Sequence, residues 1–571
     1  MKFDKDVITG ILICLAVVLL WGPLSRMLGF GGAPAAPEAN RSETVSAAPE
    51  PADGAAAKTE ESAGAAQIEF IPEIPLIGEV SEPVLLENDR LKIELDLNAG
   101  SLRSITFKDY YRNGDRKEPI VIEEDPAASD GLLHSGALGV MPGTGWVVRG
   151  IVSHSGGDRE YCLERCFTNG SAEMRVRQEW KLLDGFLMDY ELTLVNPGES
   201  ALRAGTVTVD AGELPPWSRM SGDNIRNPKH AVDYLSTDGK VENVAAGDKK
   251  FFDKLSGDAR WISVNNKYMA LIMGAETPFR IYAGRTTPPG YDKKSFLAAA
   301  GAVYPDVVLP GRGSRSFRFR YFAGPKIVDE LESFDASAAK VMHLAWGPFD
   351  WLSKLLLRFL LLINGWVGSY GWSIIILTVV VRLIFWPVSM RANRSMNKMK
   401  EIKPKVDELK ARYKNDPQQL NMKTMELYKA EGVNPMGGCL PILLQIPVFI
   451  ALYQTLESAV QLRQQSFWWI KNMAAPDTVA VIFGLPIHPL VIAMTALMLV
   501  QQLITPTTME GPQKKMMLLM PVVMLFILYG LPAGLTLYWT VSSVFSILQM
   551  LLQRKLDAAH NRPVEGKKAK A

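Results

Sequence analysis

Residues 372–389 read WSIIILTVVVRLIFWPVS. The stretch approaches the ~20 apolar residues that a helix needs to cross a bilayer. It nevertheless carries one charge, Arg382, near its middle. An arginine at mid-membrane costs at least ~2.5 kcal/mol, so it must face a protein interior or a watery cavity. No Asp or Glu lies deep inside any other apolar run, Glu457 standing at an end. A buried ion pair therefore lacks an evident partner, and a watery cavity is the expectation. Thr378 lies one turn earlier on the same helix face and Trp386 one turn later, where Pro387 weakens the helix.

Outward from this run, four more apolar segments follow: 434–457, 487–505, 516–531 and 533–553. A further run, Val7–Trp21, opens the chain within residues 1–30 and follows Lys2 and Lys5. It reads as a retained signal anchor, although a cleaved signal peptide has the same shape. Six spans are thus expected. Just before the second, residues 348–363 (PFDWLSKLLLRFLLLI) place Asp350, Lys354 and Arg358 every four residues among Leu and Phe. Within the segment 326–371 this predicts a helix lying in the membrane interface.

Residues 31–79 are rich in Ala, Pro, Glu, Ser and Gly, above all up to 66, and cannot bury enough surface to offset their ordering entropy. They read as a tether. Residues 80–325 change period. Leu91, Ile93, Leu95 and Leu97 alternate with polar neighbours, as do Phe317, Phe319 and Tyr321. Residues 174–194 read as two strands about Leu183-Asp184-Gly185, and 261–273 turns at Asn265-Asn266. This predicts a large antiparallel two-sheet sandwich. Cys162 and Cys166, four apart on a strand, stand too far apart to bridge. Four cysteines in 571 residues exclude a disulfide scaffold.

Lys and Arg number 62 against 60 Asp and Glu, a net charge of +2. The balance excludes a wholly basic nucleic-acid binder, but it hides a sidedness. Residues 390–433 hold eleven bases against six acids, and the tail 554–571 holds six bases. The loop at 458–486 has only Arg463 and Lys471. The positive-inside rule puts the basic segments and both termini in the cytoplasm and the β domain outside. Within 390–433, Met396, Met399, Ile402, Val406, Leu409 and Tyr413 step by three or four, then Asn415-Asp416-Pro417 breaks the pattern before Leu420 resumes it. A cytoplasmic helical hairpin is predicted.

Gln445 and Gln454, Gln501 and Gln502, and Thr536, Tyr538, Trp539, Thr540, Ser542 and Ser543 are further polar or amphipathic residues within the spans. Singly, each is an ordinary interhelical hydrogen bonder. Together with Arg382 they suggest a polar-lined concavity. No zinc-ligand spacing, nucleophile elbow or phosphate loop is present, so no catalytic set, metal or cofactor is expected.

The run Asn434-Pro435-Met436-Gly437-Gly438-Cys439-Leu440-Pro441, continuing to Tyr453, closely resembles a signature of the YidC family of bacterial membrane protein insertases. So do SIIILTVVVR ending at Arg382, Pro506-Thr507-Thr508, LPAGLTLYW ending at Trp539 and YFAGPK at 321–326. The resemblance implies a five-helix core with a groove open to cytoplasm and lipid. Its groove arginine matches Arg382, and Gln502 and Trp539 match further groove positions. Thr378 and Tyr538 match positions beside the inserting segment, and Gln445 joins them as a polar residue of the third span. The resemblance further implies a β-supersandwich in the periplasm of a Gram-negative cell and an inner-membrane location. The partners it implies are nascent membrane proteins, the Sec translocon, membrane lipids and, weakly given the modest tail, ribosome and signal-recognition components. A transporter or channel with an intramembrane arginine is the alternative, which would call for internal repeats or a continuous pore.

Overall fold

The computed structural model describes most of residues 76–560. The longest stretches outside the described residues are 1–75, 124–136, 218–230, 287–296, 343–349, 433–439, 506–511 and 561–571. The first apolar run, the tether up to residue 75, the segments 434–439 and 506–508 and the end of the tail lie outside them. Within the stretch expected as tether, the Ile77 N–H donates to the carbonyl of Ile151 at 2.8 Å.

The described strands between residues 84 and 325 all pair antiparallel, as their period-two alternation requires. Four consecutive strands, Val84–Glu87, Leu91–Asp96, Ser101–Tyr111 and Pro119–Glu123, make a meander. A second sheet of twelve described strands has its spine at Asp258–Asn265, Met269–Thr286, Ser314–Pro325, Leu187–Val195, Glu173–Leu182 and Glu160–Thr168, neighbour to neighbour. Leu91, Ile93 and Leu95 are buried to within 1% while their neighbours are half-exposed, so the alternation places one face inward. The expected turns appear where Leu182 gives way to Leu187 and Asn265 to Met269. Cys162 and Cys166 lie on one strand as free thiols.

Several ionisable side chains are buried in this sandwich, Arg165, Asp210 and Asp233 among them. Arg165, 2% exposed, donates to the carbonyls of Ala99 at 2.7 Å and Asn98 at 3.2 Å and to Gln178 Oε1 at 2.8 Å. Burial among neutral partners pulls its guanidinium down to about 10.

The helical part comprises α1 (Asp350–Val367), α2 (Tyr370–Ile384), α3 (Trp386–Glu401), α4 (Lys403–Arg412), α5 (Pro417–Ala430), α6 (Leu440–Ser458), α7 (Pro489–Ile504), α8 (Pro512–Leu528) and α9 (Ala533–His560). Among the described residues, Ala533–Lys555 of α9 is by itself long and apolar enough to cross a bilayer. Helices α2 and α3 meet that test only together, bent by 58° at their junction. Helix α7 and the segment Leu518–Leu528 of α8 are shorter apolar helices.

Several boundaries differ from the sequence expectation. The run 372–389 is not one helix: it breaks at Phe385, whose ψ is 0°. Pro387 has no N–H for the carbonyl of Leu383, and its ring clashes with that carbonyl in a straight helix. The helix that leads into the basic segment starts at Trp386, within the run expected as span two, and the segment's first arm divides into α3 and α4 at Ile402. Helix α9 runs on to His560, so the tail expected from 554 begins as helix. The break at Asp416 stands. Its carboxylate caps α5 by accepting from the N–H groups of Gln418 and Gln419 at 3.1 and 3.0 Å, with Pro417 at the first position. Lys405 near the start of α4 meets Glu431 just past the end of α5 at 2.5 Å, so the two helices lie antiparallel.

The sandwich and the bundle are joined at one end of α6. Lys267, in the turn after Asn265-Asn266, pairs with Glu457 at 3.1 Å. The Tyr268 hydroxyl donates to the Glu457 carbonyl at 3.0 Å. Beyond α6, Arg463 lies 4.7 Å over the Trp217 ring and donates to the Tyr111 carbonyl at 2.5 Å.

Candidate functional site

Three helices bring the site together. Helix α2 carries Arg382 in its last turn, α6 carries Gln445, and α9 carries Tyr538, Trp539 and Ser542. Helix α9 packs against both α2 and α6. A cation at a helix C-terminus is electrostatically favoured there, and the break at Phe385 creates that terminus within the apolar run.

Arg382 is half-buried. Its Nε donates to Ser542 Oγ at 2.8 Å, and its Nη2 donates to Gln445 Oε1 at 3.1 Å and also approaches Ser542 Oγ. Gln445 Nε2 turns to the same hydroxyl at 3.2 Å. A serine oxygen offers two lone pairs, whereas three N–H groups converge on this one. The contacts compete, and a guanidinium has five donors. The partners of Arg382 among the described residues are thus neutral and too few to satisfy it, which leaves charge and donors for an anionic group.

The sequence-predicted residues divide into two groups. Arg382 and Gln445 are joined directly, and Tyr538, 3% exposed, turns its hydroxyl to Gln445 and Ser542. Thr378 is fully buried and donates to the Ile374 carbonyl at 2.6 Å, so it belongs to the packed part of α2. Trp539 is half-buried, stands edge-on to Phe449 at 4.8 Å, and packs against the apolar cluster of Val491, Met494 and Leu528. Gln502 shares no hydrogen bond with Arg382 among the described residues. Among the described residues its Oε1 is buried without a hydrogen-bond partner.

Ser542 belongs to this site although the sequence marked it only as one polar residue among several. A signal was present. Tyr538, Ser542, Gln549 and Gln553 recur at helical spacing along one face of α9. Gln549 and Gln553 reach the carbonyls of Trp386 and Met390 at 3.5 and 3.3 Å, so the same stripe also holds the start of α3 beyond the bend.

Two family descriptions match the chain in tandem. The YidC periplasmic domain matches residues 84–359 and the 60Kd inner membrane protein family matches residues 362–560. A Geobacter metallireducens protein named membrane protein insertase YidC is 30% identical over 94% of this chain and 93% of its own length. A Chlorobaculum tepidum protein of the same name is 28% identical over 96% of this chain and 94% of its own. Among solved structures, an active YidC insertase with its first transmembrane domain resolved covers 84% of this chain and 94% of its own, at 17% identity and a TM-score of 0.35. The two family matches lie end to end across the sandwich and the bundle, and the relatives run nearly full length: this chain belongs to the YidC family of membrane protein insertases.

Proposed function

We propose that this protein inserts membrane proteins into the bacterial inner membrane, and that Arg382 draws in the polar flank of the inserting segment. The observation that carries the reading is the guanidinium itself, held by two neutral side chains at a helix break inside an apolar bundle. A short hydrophilic stretch of substrate enters from the cytoplasm. Its acidic groups are attracted to Arg382, and the low dielectric strengthens that pull. The adjoining apolar segment slides along α2 and α9 into lipid, driven by burial at ~25 cal/mol per Å². No nucleotide is required. Gln502, Trp539, Thr378, Tyr538 and Gln445 border the path in this reading.

The chain crosses the membrane six times with both ends in the cytoplasm. The basic helices α3 to α5 lie on the cytoplasmic side and the sandwich in the periplasm. Helix α1 lies at the interface, with Trp351, Phe359 and Trp366 exposed towards lipid. Exposed Leu503 and Phe526 on α7 and α8 support the same surroundings. Nascent membrane proteins are the substrates, with or without the Sec translocon, and the basic hairpin and tail meet ribosome and signal-recognition components weakly. The relatives' names speak for insertion rather than transport.

The test is insertion by purified protein in proteoliposomes, read by protease protection of a single-span substrate with a short acidic flank. Arg382→Ala and Arg382→Glu are expected to lower insertion at least tenfold, and Arg382→Lys to keep most of it. Unimpaired insertion by both charge-removing variants sinks the electrostatic part of the proposal.

A further inference from the structure

Between α6 and α7 the chain makes a small β-hairpin whose surroundings the insertase reading does not use. Residues 479–487 read VAVIFGLPI, without one polar side chain. Strands Ala480–Ile482 and Leu485–Ile487 pair Ala480 with Ile487, Val481 with Pro486 and Ile482 with Leu485. The two-residue turn is Phe483-Gly484, both at positive φ, +50° and +79°.

Phe483 is the unusual member. Such turns favour Asn or Asp followed by Gly, because an L side chain in the left-handed region is strained. A large aromatic there places its ring at the very tip at a backbone cost. The ring is fully exposed, and Val481 at 65%, Ile482 at 53% and Leu485 at 58% are exposed with it.

The base, by contrast, is firmly held. Asp477 Oδ2 accepts from the Leu490 N–H at 2.7 Å and from Trp469 Nε1 at 3.1 Å. Thr478 and His488 join at 3.2 Å, and the Tyr529 hydroxyl donates to the Pro486 carbonyl. The apolar tip is therefore carried at a fixed place by the ends of α7 and α8.

We infer that this hairpin dips into the outer leaflet of the bilayer and anchors the outer ends of α7 and α8 in the lipid interface. Three features select lipid over a protein partner. Successive residues along a strand point to opposite faces, and here both faces are apolar; a docking protein covers one face, whereas lipid surrounds both. The helices that carry it also expose Ile492, Phe526 and Ile527, and the same loop exposes Trp468 and Trp469, residues suited to the headgroup level. Strands of three residues reach about 10 Å, matching the ~5–10 Å depth of interfacial segments. The open edges of a two-stranded ribbon keep unpaired N–H and C=O groups, which the hydrated interface tolerates and the hydrocarbon centre does not. The inference rests on the membrane topology proposed above.

The experiment is site-directed spin labelling of the full chain in vesicles of phosphatidylethanolamine and phosphatidylglycerol. Cys14, Cys162 and Cys439 are replaced by Ser, and fully buried Cys166 is kept. Nitroxide is placed through Phe483→Cys, through Leu503→Cys on α7, and through Lys240→Cys on the sandwich. Collision with oxygen and with the water-soluble nickel complex Ni-EDDA is measured at each. Phe483 is expected to show at least fivefold less nickel accessibility than Lys240 while keeping high oxygen accessibility. Nickel access equal to that at Lys240 overturns the inference, because the tip is then in water. Low access to both reagents also overturns it, because protein then covers the tip. If Leu503 keeps a lipid signature while Phe483 fails, the hairpin inference alone falls; if Leu503 fails as well, the topology falls with it.

Discussion

Arg382 on α2 and Ser542 on α9 are joined across the bundle by a 2.8 Å hydrogen bond from Nε to Oγ, and this hydroxyl is also the meeting point for Gln445. The serine therefore positions the arginine more than it neutralises it. Ser542→Ala is expected to lower stability by about 1 kcal/mol, within the range for intramembrane side-chain hydrogen bonds. Insertion should fall less than tenfold, because the charge remains. Arg382→Ala, which removes the charge, should do far more damage to insertion than to thermal stability. Parallel melting curves and insertion rates for the two variants separate these roles.

The bend between α2 and α3 depends on Pro387. Pro387→Ala restores an N–H that can bond the Leu383 carbonyl and removes the ring clash. The 58° bend should open. Spin labels at Ile376 and Arg394, on either side of the junction, should move apart in a pulsed dipolar measurement. An unchanged distance would mean that Gln549 and Gln553 alone hold α3 in place through Trp386 and Met390.

Gly371 in the first turn of α2 faces Phe467 so closely that a Cβ there would overlap the ring. Alanine normally improves a helix by up to ~1 kcal/mol over glycine, but here overpacking at ~1–3 kcal/mol should win. Gly371→Ala is expected to lower the melting temperature, and Phe467→Leu in the same chain to recover part of the loss. Gly365→Ala in α1, where a Cβ meets open space, should leave stability unchanged or raise it. Thermal unfolding in detergent reads all three.

The Lys267–Glu457 pair ties the sandwich to α6 with both side chains largely buried, 9% and 25% exposed. Removing one partner strands a charge. Glu457→Ala should therefore cost more stability than the double replacement of both residues by Ala, and a double-mutant cycle should return a coupling above about 1 kcal/mol. Additive effects would show that the junction is held by Tyr268 and Arg463 instead.

A similar argument applies to Gly100, whose φ is +64° and whose Cβ would overlap the guanidinium of buried Arg165. Gly100→Ala combines backbone strain with displacement of a buried charge. A loss above 2 kcal/mol is expected, visible as a melting temperature lowered by at least ~4 °C. Ala at Gly170, also at positive φ but in open space, carries the strain alone and should cost less.

Much of this architecture was readable because it rests on patterns a few residues long. Period-two alternation over 91–97 and 317–321 follows from side chains that alternate across a strand, and it placed the sheets correctly. Apolar runs marked the helices of the bundle, and Asp416-Pro417 marked a helix start through a side chain that caps its own neighbours. The lone charge in 372–389 identified Arg382 because desolvation makes such a residue expensive wherever it lies. The exact ends of helices were less legible: Pro387 announced a weakness, but only the packed bundle showed a break at Phe385.

What the chain's local patterns could not decide was which distant groups meet. Arg382 and Ser542 are 160 residues apart, Arg382 and Gln445 are 63 apart, and Lys267 and Glu457 are 190 apart. Several polar residues in the spans were equally plausible partners until helix rotation and packing chose among them. The apolar hairpin at 479–487 has no local signature either, because its turn lacks the Asn-Gly or Asp-Gly signal and a short apolar run reads the same in a strand as in a helix. The sequence by itself determined the elements, since backbone hydrogen bonding and hydrophobic period act locally. Tertiary structure alone decided the partners of the buried charges, since a charge taken out of water accepts whatever neutral or charged group the packing brings within reach.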